Sequence, residues 1–264
     1  MKKYLVIGNP IEHSLSPLLH NYWIKKKNFQ ADYEKQKINN NQLKNLIDKI
    51  KSKEINGINV TVPFKKDIIP FLEKLSPEAE STQSVNTIYL DSNIVVGHNT
   101  DIRGFELAIK DTKYDVKGKS VFILGAGGVV PSIIYALNNM KASSITITNR
   151  TQSKAENLKN LFKNLKIINW GKLPDFDMII NATSIGLSNK DKINFDFSKL
   201  NKNKFFYDVI YNPKETNFLK TAKNLGNDTE NGKKMFIYQA AEAFKIWHGI
   251  KPDINQEVDE LLDR

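Results

Sequence analysis

A chain of 264 residues with 40% hydrophobic content has room for one large core or two ordinary ones; it has no cysteine, which excludes disulfide frames and thiolate chemistry. The net charge of +10 comes from lysines scattered along the chain, with no basic run that interleaves aromatics, so it reads as a solvated surface that draws in small anions and not as a nucleic-acid partner. The apolar run at 4–7 is shorter than the roughly 7–15 residues of a secretory core, and a cytoplasmic location is expected.

In chain order, residues 4–7 predict a strand. Ser16 and Pro17 open a helix, with the serine as cap and the proline at the first helical position. A strand follows at 33–38, then a helix at 41–53 with Leu43, Leu46, Ile47 and Ile50 on one face. Residues 55–62 read as a strand and 66–75 as a helix. Residues 85–90 and 94–97 form a hairpin around Asp91, Ser92 and Asn93. A helix at 102–111 begins a second unit. Then come a buried strand at 121–125, a helix to about 140, a strand at 144–148, a helix at 152–162, and strands at 166–168, 177–183 and 205–211. The stretch 120–140 is uncharged and long enough to span a bilayer. However, it holds Gly125, Gly127, Gly128 and Pro131 and closes on Asn138 and Asn139, so it reads as strand, turn and buried helix, and no membrane partner is expected. The tail carries helical patterns at 235–247 and 257–263. Apolar strands spaced by helices predict an α/β protein with a parallel, doubly wound sheet.

The strand at 121–125 runs into GAGGVVPS. Gly125, Ala126, Gly127, Gly128 and Val129 form a turn whose backbone amides face a pyrophosphate, with the next helix aiming its amino terminus at the anion. The third glycine of the dinucleotide fingerprint is replaced by Val130, and such a turn also occurs without a ligand. The end of the next strand sharpens the reading. A protein that prefers NAD places an acid there for the ribose hydroxyls. This chain has Asn149, Arg150 and Thr151, and the first acid downstream is Glu156. An arginine with small polar neighbours suits a 2′-phosphate, so NADP is the expected cofactor.

The strand at 55–62 ends unusually, in Thr61, Val62, Pro63, Phe64 and Lys65. Taken alone, a lysine beyond a strand is a solvated residue, Asp101 a helix cap, and Ser14 and Ser16 capping groups. Tyr211 and Gln239, taken alone, are packing or surface groups. His98 with Asp101 lacks a third ligand at useful spacing, so no metal is expected. His13, His20 and His248 read as structural or surface residues.

Several separated segments change the weight of these residues. NPIEHSLSP at 9–17, NVTVPFKK at 59–66, SVNTI at 84–88, HNTDIRGF at 98–105, the glycine turn, the NRT triplet, NATSIG at 181–186 and NGKKMFIYQAAEAF at 231–244 together resemble the shikimate dehydrogenase family over essentially the whole chain. The resemblance implies NADP-dependent reduction of 3-dehydroshikimate to shikimate, on the route to aromatic amino acids. It implies that Ser14 and Ser16, helped by Tyr211, hold the substrate carboxylate. Thr61, Asn86 and Gln239 would hold ring hydroxyls, and Lys65 and Asp101 would flank the reacting oxygen. Thr183, Gly232 and Met235 would join the cofactor site. The residue types fit that chemistry: hydride delivery to a ketone creates an alkoxide, and a lysine ammonium both polarises the carbonyl and donates the proton, while an aspartate orients it. Which of the two moves the proton stays open.

The expected architecture is an N-terminal α/β substrate domain, 1–101, completed by tail helices in 236–264, and a Rossmann-type NADP domain, 102–235, with closure expelling water from the hydride path. A monomer and a homodimer are equally compatible with the sequence. Three other readings remain at this stage: an enzyme that accepts quinate, often with NAD; a non-catalytic NADP(H)-binding regulator; and, on charge alone, a nucleic-acid-binding protein.

Overall fold

The first unit is organised by β1 (Lys2–Gly8), whose Tyr4, Leu5, Val6 and Ile7 are all buried. A strand with parallel neighbours on both sides loses both faces to packing, which is why its apolar run is continuous and not alternating. The computed structural model describes residues 1–188, 192–198 and 200–263. Its two units are Met1–Gly104 with Ile237–Arg264, and Phe105–Phe236. Arg264, where the expected tail ends, lies outside the described residues.

After β1 the chain forms α1 (Ser16–Lys26), β2 (Ala31–Lys37), α2 (Leu43–Lys51), β3 (Gly57–Val60), β4 (Lys74–Leu75), α3 (Pro77–Thr82), β5 (Thr87–Asp91), β6 (Ile94–His98) and α4 (Asp101–Thr112). The sheet order is β2-β1-β3-β5-β6-β4. The first three strands are parallel, and β5 runs antiparallel to both β3 and β6. On α2, Leu43, Leu46, Ile47 and Ile50 recur at helical spacing and are buried in one cluster with Leu5, Ile58 and Ile88. The β5–β6 turn has Ser92 at φ 49° and Asn93 at φ 69°, the pair of positive dihedrals that matches strand twist in a tight hairpin.

No α-helix forms over 66–75, contrary to the sequence expectation. A single 3₁₀ turn, Ile69–Phe71, is followed by the two-residue strand β4. Ile68, Ile69, Leu72 and Leu75 have helical spacing. Pro70, however, has no N–H to donate, and its ring clashes with the preceding turn. Leu72 then turns extended at ψ 145°, and Lys74 and Leu75 pair with Val96 and Gly97. The sequence reading also missed α3, which carries a capping serine: Ser76 Oγ accepts from Ala79 N at 3.2 Å, and Pro77 is the first helical residue.

The second unit contains β7 (Ser120–Leu124), α5 (Val130–Asn139), β8 (Ser144–Thr148), α6 (Gln152–Leu158), β9 (Leu165–Ile167), β10 (Met178–Asn181), β11 (Phe205–Asp208), α7 (Asn217–Asn224) and β12 (Asp228–Glu230). All neighbours in the sheet β9-β8-β7-β10-β11-β12 are parallel. With β7 counted first, this is the 3-2-1-4-5-6 order of dinucleotide-binding folds; its direction reverses between β7 and β10, beyond whose carboxyl ends ligands bind. The sequence reading passed over α7, yet Thr216 caps it and Phe218, Leu219 and Ala222 give it a buried stripe.

The tail forms α8 (Lys233–His248) and α9 (Gln256–Leu262). Trp247 lies flat against Gly57, where an added Cβ would come within 2.3 Å of its Nε1, and that nitrogen donates to Ile88 O at 3.1 Å. Nearby, His20 stacks on Tyr33 with ring centres 4.2 Å apart, and among the described residues neither ring nitrogen has a hydrogen-bond partner. Burial, with a smaller contribution from His248, pushes its pKa down to about 3. His20 is therefore neutral when folded, and the unfolded chain takes up a proton that the folded chain refuses once pH drops below about 6.5. Its contribution is intact above that pH and is lost as pH falls toward 3. From pH 7 to pH 5 this amounts to about 2 kcal/mol. Urea midpoints should show that His20→Phe loses less stability over that range than the wild-type chain does; equal losses would refute the assignment.

Candidate active site

Beyond β3 the chain is tied down at each step. Thr61 N donates to Ile7 O at 2.9 Å, and its methyl faces Gly8, where an added Cβ would come within 2.6 Å of Cγ2. Phe64, 3% exposed, anchors the next turn in the apolar core, and Lys65 O accepts from Val85 N at 2.9 Å. Lys65 is thereby aimed inward: its side chain is 11% exposed and that of Asp101 is 7% exposed. Asp101 opens α4, with its N–H donating to Asn99 Oδ1 at 3.1 Å. Lys65 Nζ donates to Asp101 Oδ2. The other carboxylate oxygen accepts from Asn86 Nδ2 at 2.8 Å. The same amide nitrogen reaches Thr100 Oγ1 at 2.9 Å and Gln239 Oε1 at 3.4 Å.

The structure thus brings four of the expected residues together: Lys65, Asp101, Asn86 and Gln239. A buried ion pair of this kind holds only where hydrogen bonds satisfy its remaining oxygens, as Asn86 does here. Ser14 and Ser16 flank the start of α1, but Ser16 is the first residue of the helix and not its cap. The cap position is Leu15, which lacks a capping side chain, and Ser14 Oγ accepts from Ser16 N at 3.3 Å. Burial raises the pKa of Tyr33, whose phenol donates to Asn59 Oδ1 at 2.7 Å, far above its ordinary value. Asn59, Tyr33, Thr87 and Thr100 belong to the same polar cluster and escaped the sequence reading. One signal was available: Asn59 is a polar residue in the apolar strand GINV, all four residues of which are buried.

In the second unit, β7 ends at Leu124 and Gly125 takes φ +110°. Only glycine fits there, since a Cβ would also come within 2.8 Å of Ala182 O. Gly127 and Gly128 are exposed, Ala126 and Val129 half-buried, and the helix that follows, α5, has Pro131 in its first turn. The bare backbone of this turn and the amino end of α5 fit a pyrophosphate. At the end of β8, Asn149 Nδ2 donates to Thr151 O at 2.7 Å, and Arg150 and Thr151 are exposed. Residues 148–151 include no acid, and Glu156 is engaged with Lys159 at 3.5 Å. This donor set fits a 2′-phosphate and offers no carboxylate to a ribose diol.

Two loops beyond the same sheet edge meet at Asp208. Its Oδ1 accepts from Asn181 Nδ2 and Ile210 N, each at 3.0 Å, and its Oδ2 from Thr216 Oγ1 at 2.6 Å. Burial pushes the Asp208 carboxyl up to about 6, against the pull of those donors. Asn181 Oδ1 accepts from Thr183 Oγ1 at 2.7 Å, which fixes Thr183 beside Gly125. Tyr211 stacks on Phe236 with ring centres 4.6 Å apart. Gly232 permits a very close approach, since a Cβ there would lie 2.1 Å from Val209 O, and Met235 is buried one turn later. Among the described residues, no cluster of three or more His, Asp or Glu could hold a metal ion, and no helix is long and apolar enough to cross a membrane.

Comparison with known families gives three matches in chain order: shikimate dehydrogenase substrate binding domain over 6–88, shikimate / quinate 5-dehydrogenase over 106–215, and shikimate 5′-dehydrogenase C-terminal domain over 234–256. The chain is 58% identical to a shikimate dehydrogenase (NADP(+)) of Pelagibacter ubique, covering 99% of each chain. The chain belongs to the shikimate dehydrogenase family. The shikimate dehydrogenase structure from Aquifex aeolicus matches with a TM-score of 0.91 at 37% identity, over 100% of this chain and 98% of that one. The Thermus thermophilus enzyme, solved in complex with NADP(H) and shikimate, matches with a TM-score of 0.90 at 29% identity, over 100% of this chain and 99% of that one. Within the family matches, Ser14, Ser16, Thr61, Lys65 and Asn86 fall in the substrate-binding segment, and the glycine turn, Arg150, Thr183 and Tyr211 in the dehydrogenase segment. Met235 and Gln239 fall in the C-terminal segment, while Asp101 and Gly232 lie outside all three.

Proposed function

We propose that this chain catalyses the reversible, NADP-dependent reduction of 3-dehydroshikimate to shikimate, a step of aromatic amino acid biosynthesis. The observation that carries this reading is the buried Lys65–Asp101 pair, braced by Asn86, in a chain of this family. When bound, NADPH supplies the hydride. Lys65 Nζ donates a hydrogen bond to the ketone oxygen, stabilises the negative charge that develops there and delivers a proton to it. Asp101 holds the ammonium in place through one carboxylate oxygen while Asn86 holds the other. Thr61, Asn86 and Gln239 take the ring hydroxyls, and Ser14, Ser16 and Tyr211 take the carboxylate. Gly125 to Val129 receive the pyrophosphate, Asn149, Arg150 and Thr151 the 2′-phosphate, and Thr183, Gly232 and Met235 complete the cofactor site. In this reading residues 1–101 with the tail helices of 236–264 bind substrate, and residues 102–235 bind NADP.

The test is a spectrophotometric assay of purified protein with shikimate and NADP, repeated with quinate and with NAD. Turnover is expected with shikimate and NADP above all other pairs. Quinate is the second reading, because the matched dehydrogenase segment covers shikimate and quinate enzymes alike; preferential turnover of quinate would establish it. NADPH binding without any dehydroshikimate-dependent oxidation would instead make the chain a regulator. A cysteine-free chain is compatible with work in the reducing cytoplasm, either as a monomer or as a homodimer, which light scattering separates.

A further inference from the structure

The polar cluster under the catalytic pair has a direction. Tyr33 Oη donates to Asn59 Oδ1 at 2.7 Å, and Asn59 Nδ2 donates to Thr87 Oγ1 at 3.1 Å. Thr87 Oγ1 donates to Asn86 Oδ1 at 3.0 Å, and Asn86 Nδ2 donates to Asp101 Oδ1 at 2.8 Å. Each donor thus points toward the carboxylate that receives Lys65, and the chain begins at Tyr33.

Thr87 is the link that carries this direction between the two amides. It is fully buried on β5, directly across the sheet from Asn59. Because Asn59 already donates to its oxygen, the hydroxyl proton must go elsewhere, to Asn86 Oδ1 at 3.0 Å or to Thr100 Oγ1 at 3.3 Å. The first partner marks which end of the Asn86 amide is oxygen, as does Thr100 N, which donates to the same oxygen at 2.8 Å. The distinction matters because a flipped amide would set its own oxygen against the Asp101 carboxylate. With 0% of Thr87 exposed, water has no access to replace a missing hydroxyl.

We propose that Thr87 is a positioning residue for the reaction: its hydroxyl locks the Asn86 amide in the orientation that holds Asp101 toward Lys65. This rests on the function proposed above. Thr87 touches neither substrate nor cofactor in this scheme and acts through Asn86.

Thr87→Val keeps the shape and removes the hydroxyl. It is expected to lower kcat/KM for shikimate about tenfold, because an Asn86 amide free to turn no longer holds Asp101 toward Lys65. NADPH affinity, measured by fluorescence titration without turnover, should stay within about twofold, since the cofactor contacts are untouched. Thr87→Ser should return kcat/KM to within about threefold of wild type, which a purely packing role for the methyl would not allow. Should Thr87→Val fail to fold, Thr87→Ser against Thr87→Ala, which differ only in the hydroxyl, gives the same comparison. An active wild type with unimpaired Thr87→Val, or a serine variant no better than its hydroxyl-free counterpart, overturns the proposal alone. A wild type inactive with shikimate overturns the functional reading as well.

Discussion

Lys65→Ala is expected to lower kcat by about 10²–10⁴-fold, the range typical of a lost general acid, with NADPH affinity nearly unchanged. The size follows from the site. Lys65 is the cation of a pair in which both partners are nearly dry, so water is a poor replacement for its proton or its charge. The same burial gives the substitution a second effect. It leaves Asp101 as a buried carboxylate held, among the described residues, by Asn86, and breaking a buried pair in this way typically costs about 3–5 kcal/mol of stability. The rate must therefore be read beside a urea curve. Lys65→Met combined with Asp101→Asn removes both charges and is expected to recover stability but not turnover. A folded Lys65→Ala with an unaltered rate would remove Lys65 from the mechanism.

Arg150→Ala should weaken NADPH by about 10- to 150-fold, the equivalent of one or two charge-assisted hydrogen bonds, and should change NADH binding little. The distinction is geometric. Arg150 is exposed at the end of β8, where a dinucleotide carries its adenosine ribose. Only the phosphorylated ribose offers that guanidinium an anion. Because the group is exposed, the difference between cofactors should shrink as ionic strength rises. Fluorescence titration of both cofactors at low and high salt measures this, and equal losses for the two would mean that Arg150 does not touch the 2′-phosphate.

What could be read from the sequence divides along physical lines. The strand expected at 144–148 is β8, Ser144–Thr148, because SITIT is β-branched and bounded on both sides. The stripe on α2 was legible because its spacing is a local property. The segment 66–75 carries helical apolar spacing, but Pro70 interrupts it, and its missing donor decides the outcome. Lys65 and Asp101 could be singled out by motif, but that Asn86 holds the second carboxylate oxygen emerges only in three dimensions. The link from Asn59 to Thr87 was invisible for the same reason: it joins residues 28 apart in sequence through a strand pairing that no local pattern encodes. Asp208 was hidden differently. In FFYDVIY, expected as a strand over 205–211, it reads as one polar residue amid apolar ones, whereas the strand ends at Asp208, which is fully buried and holds three donors.

The docking of Trp247 over Gly57 bears on how the protein is made. The first unit is written in two separated segments, so a ribosome delivers residues 1–104 long before residues 237–264, which complete it. Until Trp247 emerges, the indole that covers Gly57 and donates to Ile88 O is missing, and that patch of the first sheet stays open to other apolar surfaces. Residues 105–236 are contiguous and have no such wait. Maturation therefore runs out of written order: the contiguous middle unit is able to close while the segment before it stands unfinished, which leaves residues 237–264 in control of when the sheet that leads to Lys65 becomes whole.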